Sequence, residues 1–163
     1  MQATEAIQSA YAMSQMVLKS YIGDLSDEDL RRRPHPKCNS IAWQLGHLIL
    51  SEQRLLQSIG VNAPLDLPDG FAETHDKENA ASDDSTGFLT RDAYLAMFER
   101  LQSQAIEALA KTSAEQLDEP GPEFLKGFAD TVGAVYVLVA THAMMHVGQF
   151  VPVRRELGKP IVI

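Results

Sequence analysis

Two histidines near the C-terminus, His142 and His146, have the spacing of a metal-binding pair. Residues four apart in an α-helix project from one face, so the two rings would lie side by side. The apolar residues around them recur with the same period and place both rings on the buried stripe of a helix: Val135, Val139, Phe150 (or Gln149), Val153 and Leu157. A buried imidazole without a partner costs about 1–3 kcal/mol, and a divalent metal would satisfy both rings.

A third histidine, His47, lies in the middle of a segment, residues 41–50, that is apolar on nearly every side. Catalytic zinc takes about three protein ligands and keeps one position open, so three histidines on facing helices would form such a site. Imidazole suits Zn, Ni, Cu and Fe alike, and these residues do not choose among them. The other two histidines, His35 between prolines and His75 in an acidic segment, are predicted to be exposed and outside the site.

Several neighbouring residues could support or line such a site. Ring nitrogens that do not bind the metal need hydrogen-bond partners, and the candidates by position are Ser51, Glu52, Thr141 and Gln149. Trp43 could line an apolar pocket. Arg54 lies on the same helical face as His47 and could attract an anionic substrate or form a surface salt bridge.

Four amphipathic helices are predicted to carry these residues. They cover residues 3–23, 40–58, 90–111 and 131–157, with a cap at Asn39 or Ser40 for the second and at Asp130 or Thr131 for the last; Pro152 is predicted to kink or end the last helix. No strand is expected, so the fold is an all-α four-helix bundle. The link over residues 61–89 is long enough to return the ~30 Å length of a helix, so the third helix could run parallel to the second.

The composition is that of one soluble domain over residues 1–163, with 45% hydrophobic residues and a net charge of −8. The acidic balance and the lack of a basic stripe argue against nucleic-acid binding, and no apolar run is long enough to suggest a membrane span. The N-terminus does not resemble a signal peptide, and the single cysteine, Cys38, fits a reducing cytoplasm. The apolar residues 161–163 are predicted to pack across one end of the bundle or against a partner subunit.

Two stretches of this sequence resemble those of a known family. Residues 39–48, NSIAWQLGHL, followed by Glu52, are similar to the second-helix signature of the DinB/YfiT-like metalloenzymes. The stretch from His142 and His146 to Gly148 and Gln149, followed by Leu157-Gly158, is similar to the last-helix signature of that family. The resemblance covers essentially the whole chain.

The resemblance implies an up-down-down-up bundle, a homodimer, and a metal held by His47, His142 and His146. Members of the family include thiol S-transferases that use low-molecular-weight thiols, a mycothiol-dependent isomerase, and proteins described as hydrolases. The implied function is therefore a divalent-metal enzyme, with Zn or Ni as the metal, that performs thiol S-transfer or hydrolysis on a small molecule. A metal with an open position supports either reaction because it lowers the pKa of bound water or of a coordinated thiol.

Two other interpretations remain open from the sequence. The bundle could be a non-catalytic, metal-binding homodimer with a closed site, in which His75, Glu52 or an acidic residue from 71–84 supplies a fourth ligand. Alternatively, it could be a scaffold without metal, in which the histidines form hydrogen bonds to one another and to buried polar groups.

Overall fold

The computed structural model describes residues 1–82 and 84–161 of the chain, and all its regular elements are helical. The helices are α1 (Ala3–Ile22), α2 (Ile41–Ser58), α3 (Phe71–Thr74), α4 (Arg91–Leu109), α5 (Ala114–Leu117) and α6 (Val132–Glu156); short 3₁₀ turns lie at Asp29–Arg31, Lys77–Asn79 and Glu123–Leu125. The predicted all-α class is confirmed. The prediction for residues 161–163 falls mostly outside the described residues.

The long helices begin where polar side chains can cap them. The hydroxyl groups of Ser40, Thr90 and Thr131 accept hydrogen bonds from backbone N–H groups in the first turns of α2, α4 and α6. Each cap satisfies one of the backbone donors that the start of a helix leaves unpaired. Pro152 lies within α6, and the helix continues to Glu156, so the alternative that Pro152 ends the helix is wrong.

The four long helices run up, down, down and up. Lys19, near the end of α1, forms an ion pair of 2.7 Å with Glu99 in the first half of α4, so these two helices are antiparallel. Gln44, early in α2, contacts His146, late in α6, so this pair is antiparallel as well. One apolar cluster combines residues late in α1 and α6 with residues early in α2 and α4, so α2 and α4 are parallel, as the long link allows, and α1 and α6 are parallel. Each of α4 and α6 packs against both α1 and α2.

The core consists of two apolar clusters, one toward each end of the bundle. One contains Leu18, Leu48, Phe98 and Phe150, and the other contains Leu56, Leu101, Leu109 and Val139. Burial of such side chains is the main favourable contribution to folding. Along α6, His142 lies between the residues of the two clusters, and His146 lies among the residues of the first cluster.

The helix α6 is long and apolar enough to cross a membrane by length and composition alone. In this fold it packs against both α1 and α2, and its apolar residues form part of both core clusters. The central helix of a soluble bundle has the same composition, and a soluble protein is compatible with this structure.

His75 is buried, and the prediction that it is exposed is wrong. Only 2% of its surface is accessible, its Nδ1 lies 2.7 Å from the carbonyl oxygen of Phe71, and its Nε2 lies 2.8 Å from the hydroxyl of Tyr94. Nε2 therefore fixes the long link to Tyr94 of α4, and Nδ1 is used within the link itself. The acidic sequence around His75 concealed this role, because only the distant Tyr94 and the backbone of α3 supply its partners.

The glycine at position 46 makes room for His75, which leads to a prediction. A Cβ at Gly46 would overlap the His75 ring. We expect Gly46→Ala to destabilise the fold by about 2 kcal/mol, because overpacking of a fixed ring exceeds the gain in helix propensity. Urea unfolding measures the effect.

Gly148→Ala is the matched control, because a Cβ there has no neighbour within 4 Å. We expect it to stabilise α6 by about 0.5–1 kcal/mol. Equal effects of the two substitutions would contradict the role given to Gly46.

Candidate metal centre

The helices α2 and α6 bring three imidazole rings together. The ring centres of His47 and His142 are 5.7 Å apart, those of His47 and His146 are 5.3 Å apart, and those of His142 and His146 are 5.0 Å apart. One nitrogen atom from each ring lies within 4.8 Å of the other two, close enough for the three to hold one metal ion. All three residues are partly buried.

The orientation of the His146 ring is set by Gln44, a residue that the sequence analysis did not single out. The Gln44 side chain is buried, and its amide nitrogen donates to the carbonyl oxygen of Asn39 at 3.0 Å. Its carbonyl oxygen lies 2.8 Å from Nδ1 of His146 and can only accept, so His146 carries its proton on Nδ1. The lone pair of Nε2 is then free for a metal. A glutamine in a helix otherwise apolar on all sides was the signal for this role.

His47 is held by two residues of its own helix. The Trp43 ring stacks on it with centres 5.0 Å apart and an angle of 9° between the planes. Trp43 is itself fixed, because its indole N–H donates to the carbonyl oxygen of Asp76 at 3.1 Å. Ser51 Oγ lies 3.4 Å from Nε2 of His47. The buried Trp43 ring therefore packs against His47 and restricts its plane, and Ser51 contacts the His47 ring as its position predicted.

The three rings are neutral at pH 7. Burial, together with the smaller effect of the neighbouring histidines, lowers the pKa of His142 and of His146 to about 4. Burial also lowers the pKa of His47, and the positive charges of Lys77 and Arg54 act in the same direction. A neutral imidazole has the lone pair that a metal needs. Nδ1 of His142 is buried without a hydrogen-bond partner among the described residues.

Three predicted supporting residues do not contact the rings as expected. Gln149 is exposed, and the glutamine that contacts a ring is Gln44, beside His146. The Thr141 hydroxyl donates to the carbonyl oxygen of Val137 in its own helix, at 2.8 Å. The carboxyl group of Glu52 lies near Gln102 and Tyr11 in the core, and neither of its oxygens has a hydrogen bond to a histidine ring within the described residues.

Glu52 belongs to a polar layer inside the bundle. It is 0% exposed, and neither of its carboxyl oxygens has a hydrogen bond of normal geometry within the described residues. The same holds for the side-chain polar atoms of Tyr11, Ser14 and Gln102. Burial raises the pKa of Glu52 well above 4.5, although the nearby Gln102 amide partly opposes this shift. Burial in the core therefore favours the protonated form of this carboxyl group.

This raised pKa predicts a pH-dependent effect of Glu52→Gln. Below pH 4.5 the carboxyl group of Glu52 keeps its proton in both the folded and the unfolded chain. As the pH rises, the unfolded chain releases this proton first. The stability of the wild type therefore falls between pH 4.5 and the raised pKa of the folded state. Glutamine has the same shape and no such penalty. We expect the variant to match wild type near pH 4 and to exceed it by at least about 1 kcal/mol at pH 8. Urea unfolding at the two pH values measures this; a difference that does not change with pH would contradict it.

No fourth protein ligand completes the cluster within residues 1–82 and 84–161. His75, one candidate, uses both ring nitrogens elsewhere, and Glu52 lies in the polar core layer. A groove of about 370 Å³ instead reaches the cluster at His142 and Ser51 and is open to solvent. A larger cavity, of about 540 Å³, lies near Ile59 and Tyr136 and includes none of the three histidines.

Comparisons with known proteins agree with this architecture. The model of a family described as the DinB superfamily matches residues 10–150. A solved structure from Enterococcus faecalis, described as a conserved protein, is 16% identical and covers 98% of this chain and 99% of its own, with a TM-score of 0.67. At that identity the likeness concerns the fold alone. No curated protein matches the sequence.

Proposed function

This chain belongs to the DinB superfamily, and from that membership and its histidine cluster we propose that it is a divalent-metal-dependent enzyme acting on a small molecule. His47, His142 and His146 would hold the metal, with Zn or Ni as the expected ion. The observation that carries the proposal is the convergence of three neutral imidazoles beside an open groove. A bound divalent ion would supply Lewis-acid chemistry that makes a coordinated water or thiol more acidic.

Two residues beside the histidines hold the rings in orientations suited to binding a metal. Gln44 keeps the proton of His146 on Nδ1, and Trp43 restricts the plane of His47. Both act through a ligand and are positioning residues. The partial burial of the three rings limits the competition of water and protons for their lone pairs.

We propose two reactions for this centre: transfer of a low-molecular-weight thiol to an electrophile, and hydrolysis of a small molecule. The alternative is a non-catalytic metal-binding homodimer. The open groove favours the enzyme over a closed site, because a closed site would need a fourth ligand. We place the protein in the cytoplasm, where Cys38 would remain reduced, and as a homodimer without nucleic-acid or membrane partners.

The test has three steps on the purified chain. Metal content is measured by mass spectrometry on protein prepared without added metal, and the oligomeric state is measured by light scattering. Metal-loaded protein is then assayed with a panel of thiols and monochlorobimane, and separately with small esters in the absence of thiol. Metal-dependent turnover that His146→Ala abolishes supports the enzyme. Bound metal without turnover in either assay supports the non-catalytic dimer, and absence of metal overturns both.

A further inference from the structure

The groove beside the histidine cluster has one wall outside the four long helices. Arg54 on α2 and His142 on α6 line it from the bundle, and the segment around the Glu123–Leu125 turn lines it from the other side. Because His142 belongs both to the groove and to the cluster, a molecule in the groove lies next to the proposed metal.

The apolar part of the groove contains aromatic rings that are not packed in the core. Phe124 is 66% exposed and Phe128 is 73% exposed, and both line the groove. The other four phenylalanines are packed in the apolar core or against it. Met145, 60% exposed, and Leu138 extend the same surface along α6. Exposed aromatic side chains gathered at one groove are typical of a ligand site.

The polar part of the groove is positively charged. Arg54 and Lys77 both line it, and neither forms an ion pair or side-chain hydrogen bond with the part of the chain that the structure describes. Their charges are close enough to His47 to lower its pKa. The chain has 22 acidic residues against 14 basic ones, yet none of the carboxylates that the structure describes lines this groove. Two cations at one end of an apolar surface complement an anion with an apolar body.

We propose that this groove binds a small amphipathic carboxylate, with its carboxylate between Arg54 and Lys77 and its aromatic or alkyl body on Phe124 and Phe128. The planar guanidinium of Arg54 matches a carboxylate in bidentate geometry. The assignment of this ligand as the substrate rests on the proposed function, whereas its binding to the groove does not. The enzyme would then act on carboxylate-bearing small molecules whose reacting group is next to His142.

Binding of 4-phenylbutyrate tests this, with the neutral 4-phenylbutyramide as the matched probe. Both are titrated by NMR into the full chain, as isolated and after treatment with a chelator. We expect the carboxylate to bind in both preparations and the amide to bind about tenfold more weakly. We expect Arg54→Gln combined with Lys77→Gln to lower carboxylate affinity about tenfold, and the control Arg155→Gln, an exposed cation elsewhere on α6, to leave it unchanged.

Three results would overturn the proposal. The first is equal binding of the two probes, and the second is an unchanged carboxylate affinity in the double variant. The third is a dimer that Phe128→Ser dissociates, because the groove would then be the contact surface for a second copy of the chain. The metal measurement is separate. Bound metal without probe binding removes only the carboxylate ligand, and probe binding to a chain that takes up no metal removes only the proposed function.

Discussion

Replacement of His146 by alanine is expected to abolish stable metal binding by this chain. One of the three imidazoles whose nitrogens lie within 4.8 Å of one another is then missing. Loss of a group that only supports a ligand costs about 10–100-fold in affinity, so loss of a ligand should cost more than about 100-fold. We expect the same from His47→Ala, and a lower melting temperature for both variants when metal is present. Competition with a chromogenic chelator measures the affinity, and calorimetry measures the melting temperature.

Two further variants make that experiment specific. Gln44→Leu keeps all three ligands but removes the acceptor that fixes the His146 proton, and we expect it to weaken metal binding about 10–100-fold. His35→Ala removes an exposed histidine and should change neither affinity nor melting temperature. Unchanged metal stoichiometry in both His47→Ala and His146→Ala would refute the assigned ligand set.

Among the substitutions considered, Arg154→Met is expected to cause the largest decrease in the free energy of unfolding, about 3 kcal/mol. The Arg154 side chain is 0% exposed and joins the ends of α1 and α6: its guanidinium donates to both carboxylate oxygens of Asp24 and to the carbonyl oxygens of Tyr21 and Pro160. Methionine keeps the packing of the stem and leaves these acceptors without their donor. For a chain of this size the loss corresponds to a melting temperature lower by roughly 10 °C.

Arg155→Met is the matched control, because its side chain is exposed one residue further on, and we expect a change within about 0.5 kcal/mol. The pH dependence gives a second check. The hydrogen bond from Arg154 lowers the pKa of Asp24 below 3.8, so the pair stabilises the fold above that pH and loses its effect as the pH falls through the lowered pKa. A gap between wild type and Arg154→Met that widens in acid would contradict this account. This dependence of the gap on pH is expected to be small, because Asp24 is half-exposed.

The architecture of the bundle could be predicted from local patterns. Ser40, Thr90 and Thr131 stand before apolar segments of helical period, and each caps the helix predicted there. The two-residue repeat of a strand is absent from these segments, so the all-α class followed directly. The length of the link allowed a parallel course of α2 and α4, and the family resemblance implied it. Pro152 is the exception, because tertiary packing keeps α6 helical on both sides of it.

The supporting contacts of the site could not be predicted in the same way. The partner of His146 is 102 residues away in the sequence, and helical period says which face Gln44 is on but not which ring it meets. His75 was misjudged for the same reason, since Tyr94 and the space left by Gly46 come from two other elements. Spacing within one helix identifies candidate ligands, whereas the hydrogen bonds that orient them depend on contacts between helices.

The separation of Gln44 and His146 along the chain also bears on the order of assembly. Contacts between segments 102 residues apart form only after a large loop has closed, which is slow compared with helix formation. The two histidines of the last helix therefore meet His47 only when that helix docks, and a nascent polypeptide presents no complete ligand set to the metal pool of the cell. An ion that is captured at that moment would favour the folded chain by mass action, so metal supply and the lifetime of the folded protein would be linked.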